Sequence, residues 1–470
     1  MRNPLPETTP QLGDDIMDKK TTIENYINIA CDKAGFNGTW LFAENGEIVS
    51  KGARGYCDPE DSKPVTEDTV FMLASVTKQF TATAVMLAVR DGLISLDDDI
   101  IKYFPEIPYE GVTIRHLLSH TSGIPDYFDD YDWFVRIWKE ENRVPENKDI
   151  LRFLCETKLK PYFAPGEGIE YSNTGYSLLV EILEKVSGIP FEDFIMQRIF
   201  EPAGMTSTTS YHSLGGALGG NFARGMVLEN GKYLYPEDSE SEADEPACYG
   251  EKGQGDICSN IFDLLTWDGV LREGKVLTPE EQQIMYTPAK LNNGEIAIFD
   301  EGRGYGFGWE IDNDPELGLV VCHSGGLAGL VTWFERLVDA DKVLVLLNNR
   351  QPKDYRAYLT FYKGMSAIAR GEEPEPIMTI EDITIKDPDK SKWESFCGKY
   401  EHPKDFELII DEVYMKDGDL WAKAIDDDGD PLEFKFYPIG ENKFARKGGM
   451  LEVTFGDGCL MIEDFTCKKL

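Results

Sequence analysis

Several things that would settle a function quickly are missing from this chain. No apolar run reaches membrane-spanning length, and Met1 to Lys20 holds prolines and acids without the apolar core of a signal peptide. The expectation is a cytoplasmic protein if Met1 is the natural start, and an extracytoplasmic one with its leader removed otherwise. Positive charge is scarce: 47 Lys and Arg face 85 Asp and Glu, a formal net charge of −38. A phosphate backbone or an anionic membrane surface is repelled by such a field, so neither nucleic acid nor membrane insertion is expected. The five histidines, at 116, 120, 212, 323 and 402, show no zinc-binding spacing. Nine cysteines lie scattered with no Cys-x-x-Cys pair, which a reduced compartment permits. Asp426-Asp427-Asp428 lacks the spaced ligands and distal glutamate of a calcium loop and reads, like Asp238-Ser239-Glu240-Ser241-Glu242, as a solvated turn. No metal and no cofactor is expected. The oligomeric state is not legible.

What is present is three short patterns in a fixed order: Ser75-Val76-Thr77-Lys78, Tyr171-Ser172-Asn173 and His323-Ser324-Gly325-Gly326. In Ser-x-x-Lys one helical turn brings both side chains to one face. A serine hydroxyl becomes a nucleophile when a neighbouring base takes its proton, and a lysine amine does so once its pKa is lowered by burial or nearby positive charge. The helix-like run Gln79 to Leu93 follows, which puts Ser75 at a helix N-terminus, where free N–H groups favour developing negative charge. Tyr171 and Asn173 precede another helix-like run, Tyr176 to Val186; a phenol shuttles a proton, and a carboxamide binds both a base and a substrate amide. The third pattern ends the strand-like run Leu317 to Cys322. There the glycines let a substrate backbone lie close, and the N–H of Gly326 can pair with that of Ser75 as an oxyanion hole. Each pattern alone has a bland reading: a capping serine, a buried aromatic, a satisfied core histidine. The three in this order do not.

With these residues in place, the chain resembles the penicillin-recognising serine hydrolases, and within them the class C β-lactamases, D-alanyl-D-alanine carboxypeptidases, D-aminopeptidases and related esterases. Val112 to Gly123, Pro190 to Met205 and Tyr305-Gly306-Phe307-Gly308-Trp309 are similar to segments of that group, and the resemblance covers about residues 20–370. It implies a β-lactamase/transpeptidase-like α/β (α+β) domain and a serine acyl-enzyme mechanism, with Ser75 the nucleophile, Lys78 and Tyr171 the proton-transfer pair, and Asn173, His323, Ser324, Gly325 and Gly326 on the substrate side. Either lysine or tyrosine can be the acylation base at this point. One departure matters. The β-lactamase members carry Lys-Thr-Gly where this chain has His323-Ser324-Gly325, and an imidazole anchors a substrate carboxylate less firmly than a permanent ammonium. The resemblance therefore implies a peptidase or esterase acting on amide or ester bonds of small D-amino-acid peptides or related compounds, a small-molecule or short-peptide substrate, ahead of a promiscuous carboxylesterase, a weak β-lactamase or a non-turnover penicillin-binding or sensor protein.

The organisation fits this reading. Thr21 to Ala34 reads as a helix with a Thr21-x-x-Glu24 capping box, and two strands flank the turn Asn45-Gly46. Strand-like runs return at 317–323, 330–337 and 342–348 before a helix-like Tyr355 to Ala369, so one antiparallel sheet built from both chain ends is expected, with a helical lobe inserted. The expected domains are a tail at 1–20, the hydrolase at 21–370, a linker at 371–392 and a C-terminal domain at 393–470. In the last, turn signals every ten residues or so imply an up-and-down antiparallel barrel of about eight strands, similar to the lipocalin-like domains attached to some D-aminopeptidase relatives.

Overall fold

The computed structural model describes residues 12–213, 220–300, 302–401, 408–425, 431–462 and 465–470. The expected tail lies outside these up to residue 11, as do His402, Asp426-Asp427-Asp428 and the start of the strand expected from Phe406. Two compact units are formed. The first holds Asn37–Gln351 and Ile368–Glu372 with the segment up to Ile23; the second holds Glu24–Phe36, Pro352–Ala367 and Glu373–Leu470. Among the described residues no helix is long and apolar enough to cross a membrane.

The first unit is built on eight antiparallel strands: β1 (Gly38–Glu44), β2 (Glu47–Arg54), β3 (Ile298–Asp300), β4 (Arg303–Tyr305), β5 (Glu310–Asp314), β6 (Gly318–Leu327), β7 (Leu330–Leu337) and β8 (Lys342–Asn348), in the spatial order β2-β1-β8-β7-β6-β5-β4-β3. The two ends of the unit meet inside this sheet, β1 pairing with β8 from Gly38↔Asn348 to Glu44↔Lys342. Between β1 and β2, Asn45 and Gly46 both take positive φ, 53° and 77°, as a tight hairpin turn requires. β1 and β8 read as unbroken apolar runs because they are buried along nearly their whole length.

Between β2 and β3 the chain supplies the helices Lys78–Arg90, Asn147–Thr157, Asn173–Ser187 and Ile261–Arg272. The last is tied to the sheet by a buried ion pair, Arg336 Nε to Asp268 Oδ1 at 2.7 Å. The Asn173 helix is capped by the Ser172 hydroxyl, which accepts from the Gly175 N–H, and stops at Gly188, where φ is 74°. It starts three residues before the expected Tyr176, because the cap rather than the apolar stripe sets its first turn.

In the second unit a long helix, Leu12–Lys33, contributes its C-terminal half; the expected capping box at Thr21 lies inside that helix and does not begin it. Tyr26 donates to the carbonyls of Thr360 and Glu375, and its hydroxyl occupies the space a side chain at Gly364 would need. Eight strands, from Gly398–Lys399 to Phe465–Lys468, pair in sequence order. The sheet is curled rather than closed as a barrel: among the described residues its first and last strands meet at the single bridge Tyr400↔Lys469 and not along a ladder. Its concave side is packed with Trp393, Phe396, Tyr400, Phe436, Phe444 and Phe455, all buried, so this core is filled by aromatic side chains.

Candidate active site

Ser75 is presented by a sharp turn held from both sides. The strand Val70–Met72 delivers Leu73, whose N–H donates to the Ile257 carbonyl at 2.7 Å and whose carbonyl accepts from the Thr332 hydroxyl of β7 at 2.6 Å. Ala74 is then forced to φ 47°, a left-handed conformation that costs a side chain about 1–2 kcal/mol. The two bonds that pin Leu73 sustain such strain. Ser75 follows, partly exposed between buried Ala74 and Val76, and the helix begins at Lys78.

The Lys78 amine is fully buried and makes three contacts: Asn173 Oδ1 at 2.8 Å, the Gln254 carbonyl at 3.0 Å and Ser75 Oγ at 3.0 Å. The first two partners are acceptors only, so they fix two N–H bonds and leave the third tetrahedral position of nitrogen facing the serine hydroxyl. Burial brings the lysine pKa down to about 7, while the nearby Asp126 carboxylate pulls it upward. Near neutral pH a large fraction of this amine therefore carries a lone pair aimed at Ser75.

Tyr171, partly exposed, has its hydroxyl hydrogen-bonded with Ser75; burial holds its pKa well above the usual phenol range, and the serine bond opposes that rise. The phenol is thus protonated at rest. Its ring stands 4.7 Å below the Lys78 nitrogen and 4.3 Å from the ring of His120. His120, buried and at φ 57°, accepts the Ser172 N–H on Nδ1 at 3.1 Å, and burial keeps it neutral, so its proton sits on Nε2. Asp126 accepts the N–H groups of Asn173 and Thr174, a carboxylate satisfying the N-terminus of the Asn173 helix.

β6 supplies the third pattern. The His323 Nδ1 lies 2.6 Å from the Ser324 carbonyl, and Nε2 lies 2.8 Å from the Tyr305 hydroxyl. The carbonyl can only accept, so Nδ1 carries the proton and Nε2 accepts from the phenol. Burial, with the Lys78 charge second, pushes the His323 pKa down to about 3. This imidazole is neutral and both its nitrogens are engaged within the chain. Ser324 and Gly326 are exposed and Gly325 is buried, the alternation of a strand. A Cβ at Gly325 would come 2.3 Å from both the Leu73 carbonyl and Thr332 Oγ1, whereas at Gly326 it would meet nothing within 4 Å.

The structure therefore gathers Ser75, Lys78, Tyr171 and Asn173 into one contact network, with Gly325 of β6 packed on the Ser75 turn. It sets the His323 ring aside against Tyr305. Three participants carried no assigned role in the sequence: the Gln254 carbonyl, Asp126 and His120. His120 and Tyr305 lay within segments singled out by resemblance, so their presence was signalled and their partners were not. A backbone carbonyl such as that of Gln254 leaves no mark in a sequence at all.

Comparison with known proteins gives the family and the fold. The Beta-lactamase family model matches residues 31–363. Penicillin-binding protein 4* of Bacillus subtilis (strain 168) is 32% identical over 444 residues, covering 93% of this chain and 94% of that protein. The octameric penicillin-binding protein homologue from Pyrococcus abyssi superposes with a TM-score of 0.64 at 24% identity, covering 96% of this chain and 99% of that one. The D-amino acid amidase from Ochrobactrum anthropi SV3, complexed with L-phenylalanine amide, gives a TM-score of 0.55 at 24% identity over 71% of this chain and 91% of its own. A family match over so much of the sequence leaves one placement, and the chain belongs to the beta-lactamase family of serine hydrolases.

Proposed function

We propose that the enzyme cleaves amide or ester bonds of small D-amino-acid peptides and related compounds through an acyl group carried on Ser75. Lys78 takes the serine proton onto its lone pair as Ser75 Oγ bonds to the substrate carbonyl carbon, and the resulting oxyanion faces the N–H groups of Ser75 and Gly326. Collapse expels the leaving nitrogen or oxygen, which takes a proton from the Tyr171 phenol. The Lys78 ammonium then reprotonates that phenol, and water, deprotonated by the same pair, releases the acyl group and returns a proton to Ser75. Asn173 holds the amine in register. Hydrolase chemistry is assigned to 21–370, with 371–392 as linker and 393–470, of lipocalin-like type, as an appended domain.

The observation that carries the reading is the Lys78 amine, two of its directions fixed by acceptors and the third turned to Ser75 Oγ at 3.0 Å. A protonated Tyr171 supports the lysine as base and the tyrosine as acid. The D-amino acid amidase named above supports the substrate class, as does a neutral His323 with no nitrogen left for a substrate carboxylate. The test is the intact mass after incubation with a fluorophosphonate or a β-lactam, with the adduct mapped. A single adduct on Ser75, absent in Ser75→Ala, is expected; an adduct elsewhere, or one that persists in the variant, ends the proposal. Turnover of D-alanyl p-nitroanilide against its L form then decides the substrate class.

A further inference from the structure

A cavity of about 700 Å³ in the first unit is lined by none of the catalytic side chains. That volume suits a drug-sized ligand. Glu181 stands on its wall, eight residues beyond Asn173 on the same helix and so about 12 Å along it. The lining also includes Trp138, which lies on a π-helical turn, Ile137–Glu141, closed by Asn142 at φ 52°. Such turns are rare and concentrate at functional sites. Tyr211 and Tyr249 complete an aromatic lining.

The charges of the lining do not cancel. Lys148 pairs with Glu146, and Lys252 pairs with Glu192 at 2.9 Å, so both cations are spoken for. His212 turns Nε2 to the Glu251 carbonyl at 3.4 Å. Glu184 accepts the Phe191 N–H at 2.8 Å and stands 4.0 Å from Lys252. Glu181, half-buried, accepts no hydrogen bond among the described residues. A carboxylate that accepts no hydrogen bond, with Lys252 and Lys148 acting on it only through space, in a cavity also lined by three aromatic residues, is complementary to an organic ammonium, which draws on both charge pairing and ring quadrupoles.

One segment joins this cavity to the catalytic base. Lys252, on the cavity wall, is held at its backbone by Asn147, whose side chain donates to the Lys252 carbonyl at 2.9 Å and accepts its N–H at 2.8 Å. Thr81 fixes the next carbonyl, that of Gly253, at 2.7 Å, and the one after, that of Gln254, holds the Lys78 amine. We propose that the cavity is a second ligand site, taking a small organic cation with its ammonium against Glu181, and that occupancy is felt at Lys78 through residues 252–254.

The test uses full-length protein with Ser75 blocked by a fluorophosphonate, the adduct verified by mass, and benzylamine as probe with benzyl alcohol as its neutral analogue. Benzylamine is expected to bind blocked and unblocked protein alike. Glu181→Gln should weaken it about tenfold, the loss of one charge-assisted contact, and Trp138→Ala about fivefold. Benzyl alcohol should not distinguish Glu181→Gln from the parent. In unblocked protein, benzylamine should change kcat for a short acyl ester without raising KM, and this change should vanish in Glu181→Gln. Loss of binding on blocking Ser75, equal binding by Glu181→Gln, or a purely competitive pattern overturns the proposal. The adduct map reports separately on the catalytic reading, so the two fail independently.

Discussion

Lys78 and His323 are both buried nitrogen bases whose pKa burial lowers, yet the two are left fit for different tasks. Burial brings the lysine from the usual ammonium range to about 7, where it can take and return a proton at physiological pH. It brings the imidazole from a useful value to about 3, where it cannot. The partners explain the split. The two fixed acceptors on Lys78 leave one direction open toward Ser75, whereas His323 has a carbonyl on one nitrogen and a phenol on the other. Desolvation alone does not make a catalyst; a free direction does.

If that contrast is right, Lys78→Ala should cost the most. Acylation by a fluorophosphonate, followed as a single-turnover rate, should fall about 10²–10⁴-fold, the range for lost general-base assistance. His323→Gln keeps a donor and an acceptor in place and should cost less than about tenfold; an equal loss in both variants would break the comparison. A second contrast lies within β6. Gly325→Ala puts a methyl 2.3 Å from the Leu73 carbonyl and should destabilise the fold by about 1–3 kcal/mol while displacing Ser75. Gly326→Ala meets only open space, so its melt should match the parent while acylation slows. A normal melt for Gly325→Ala would show that the Ser75 turn is looser than the clamps imply.

Much of this was readable beforehand, for reasons that differ by element. The antiparallel sheet from both chain ends announced itself because β1 and β8 are nearly unbroken apolar runs and Asn45-Gly46 marks a hairpin. Ser75, Lys78, Tyr171 and Asn173 were legible because their chemistry resides in side chains at short fixed spacings. Helix starts were misplaced where a cap lies upstream of the apolar stripe, as at Ser172, or where a capping pattern falls mid-helix, as at Thr21. Closure of the C-terminal sheet was overread because turn spacing reports strand number, while closure depends on whether Tyr400 and Lys469 extend into a ladder. The role of His323 was hidden for a related reason. Its two partners are a neighbouring carbonyl and a tyrosine eighteen residues upstream, and only the fold brings that tyrosine to the ring.

The smallest effects sharpen the comparison furthest, because they follow from protonation alone. The unfolded chain binds a proton on His323 below its ordinary value of 6.5, but the folded chain does not until about pH 3. More protons on the unfolded side mean that stability rises with pH across this window and is lost as pH falls through it. For Lys78 the unfolded amine holds its proton to about 10.5 and the folded one only to about 7, so stability again rises with pH, now between those values. The two slopes share a sign and occupy separate windows. Urea melts of His323→Gln should therefore show a shallower loss than the parent from pH 6.5 to 4 and an unchanged slope above 7, and Lys78→Met should show a shallower rise than the parent above 7. Tyr305→Phe, which strips the acceptor nitrogen of its partner, should lower stability by about 1–3 kcal/mol at neutral pH and leave the upper slope untouched. Parallel curves for all four proteins would mean that neither base is held off its ordinary pKa by folding, and the distinction between a tuned and a locked nitrogen would go with them.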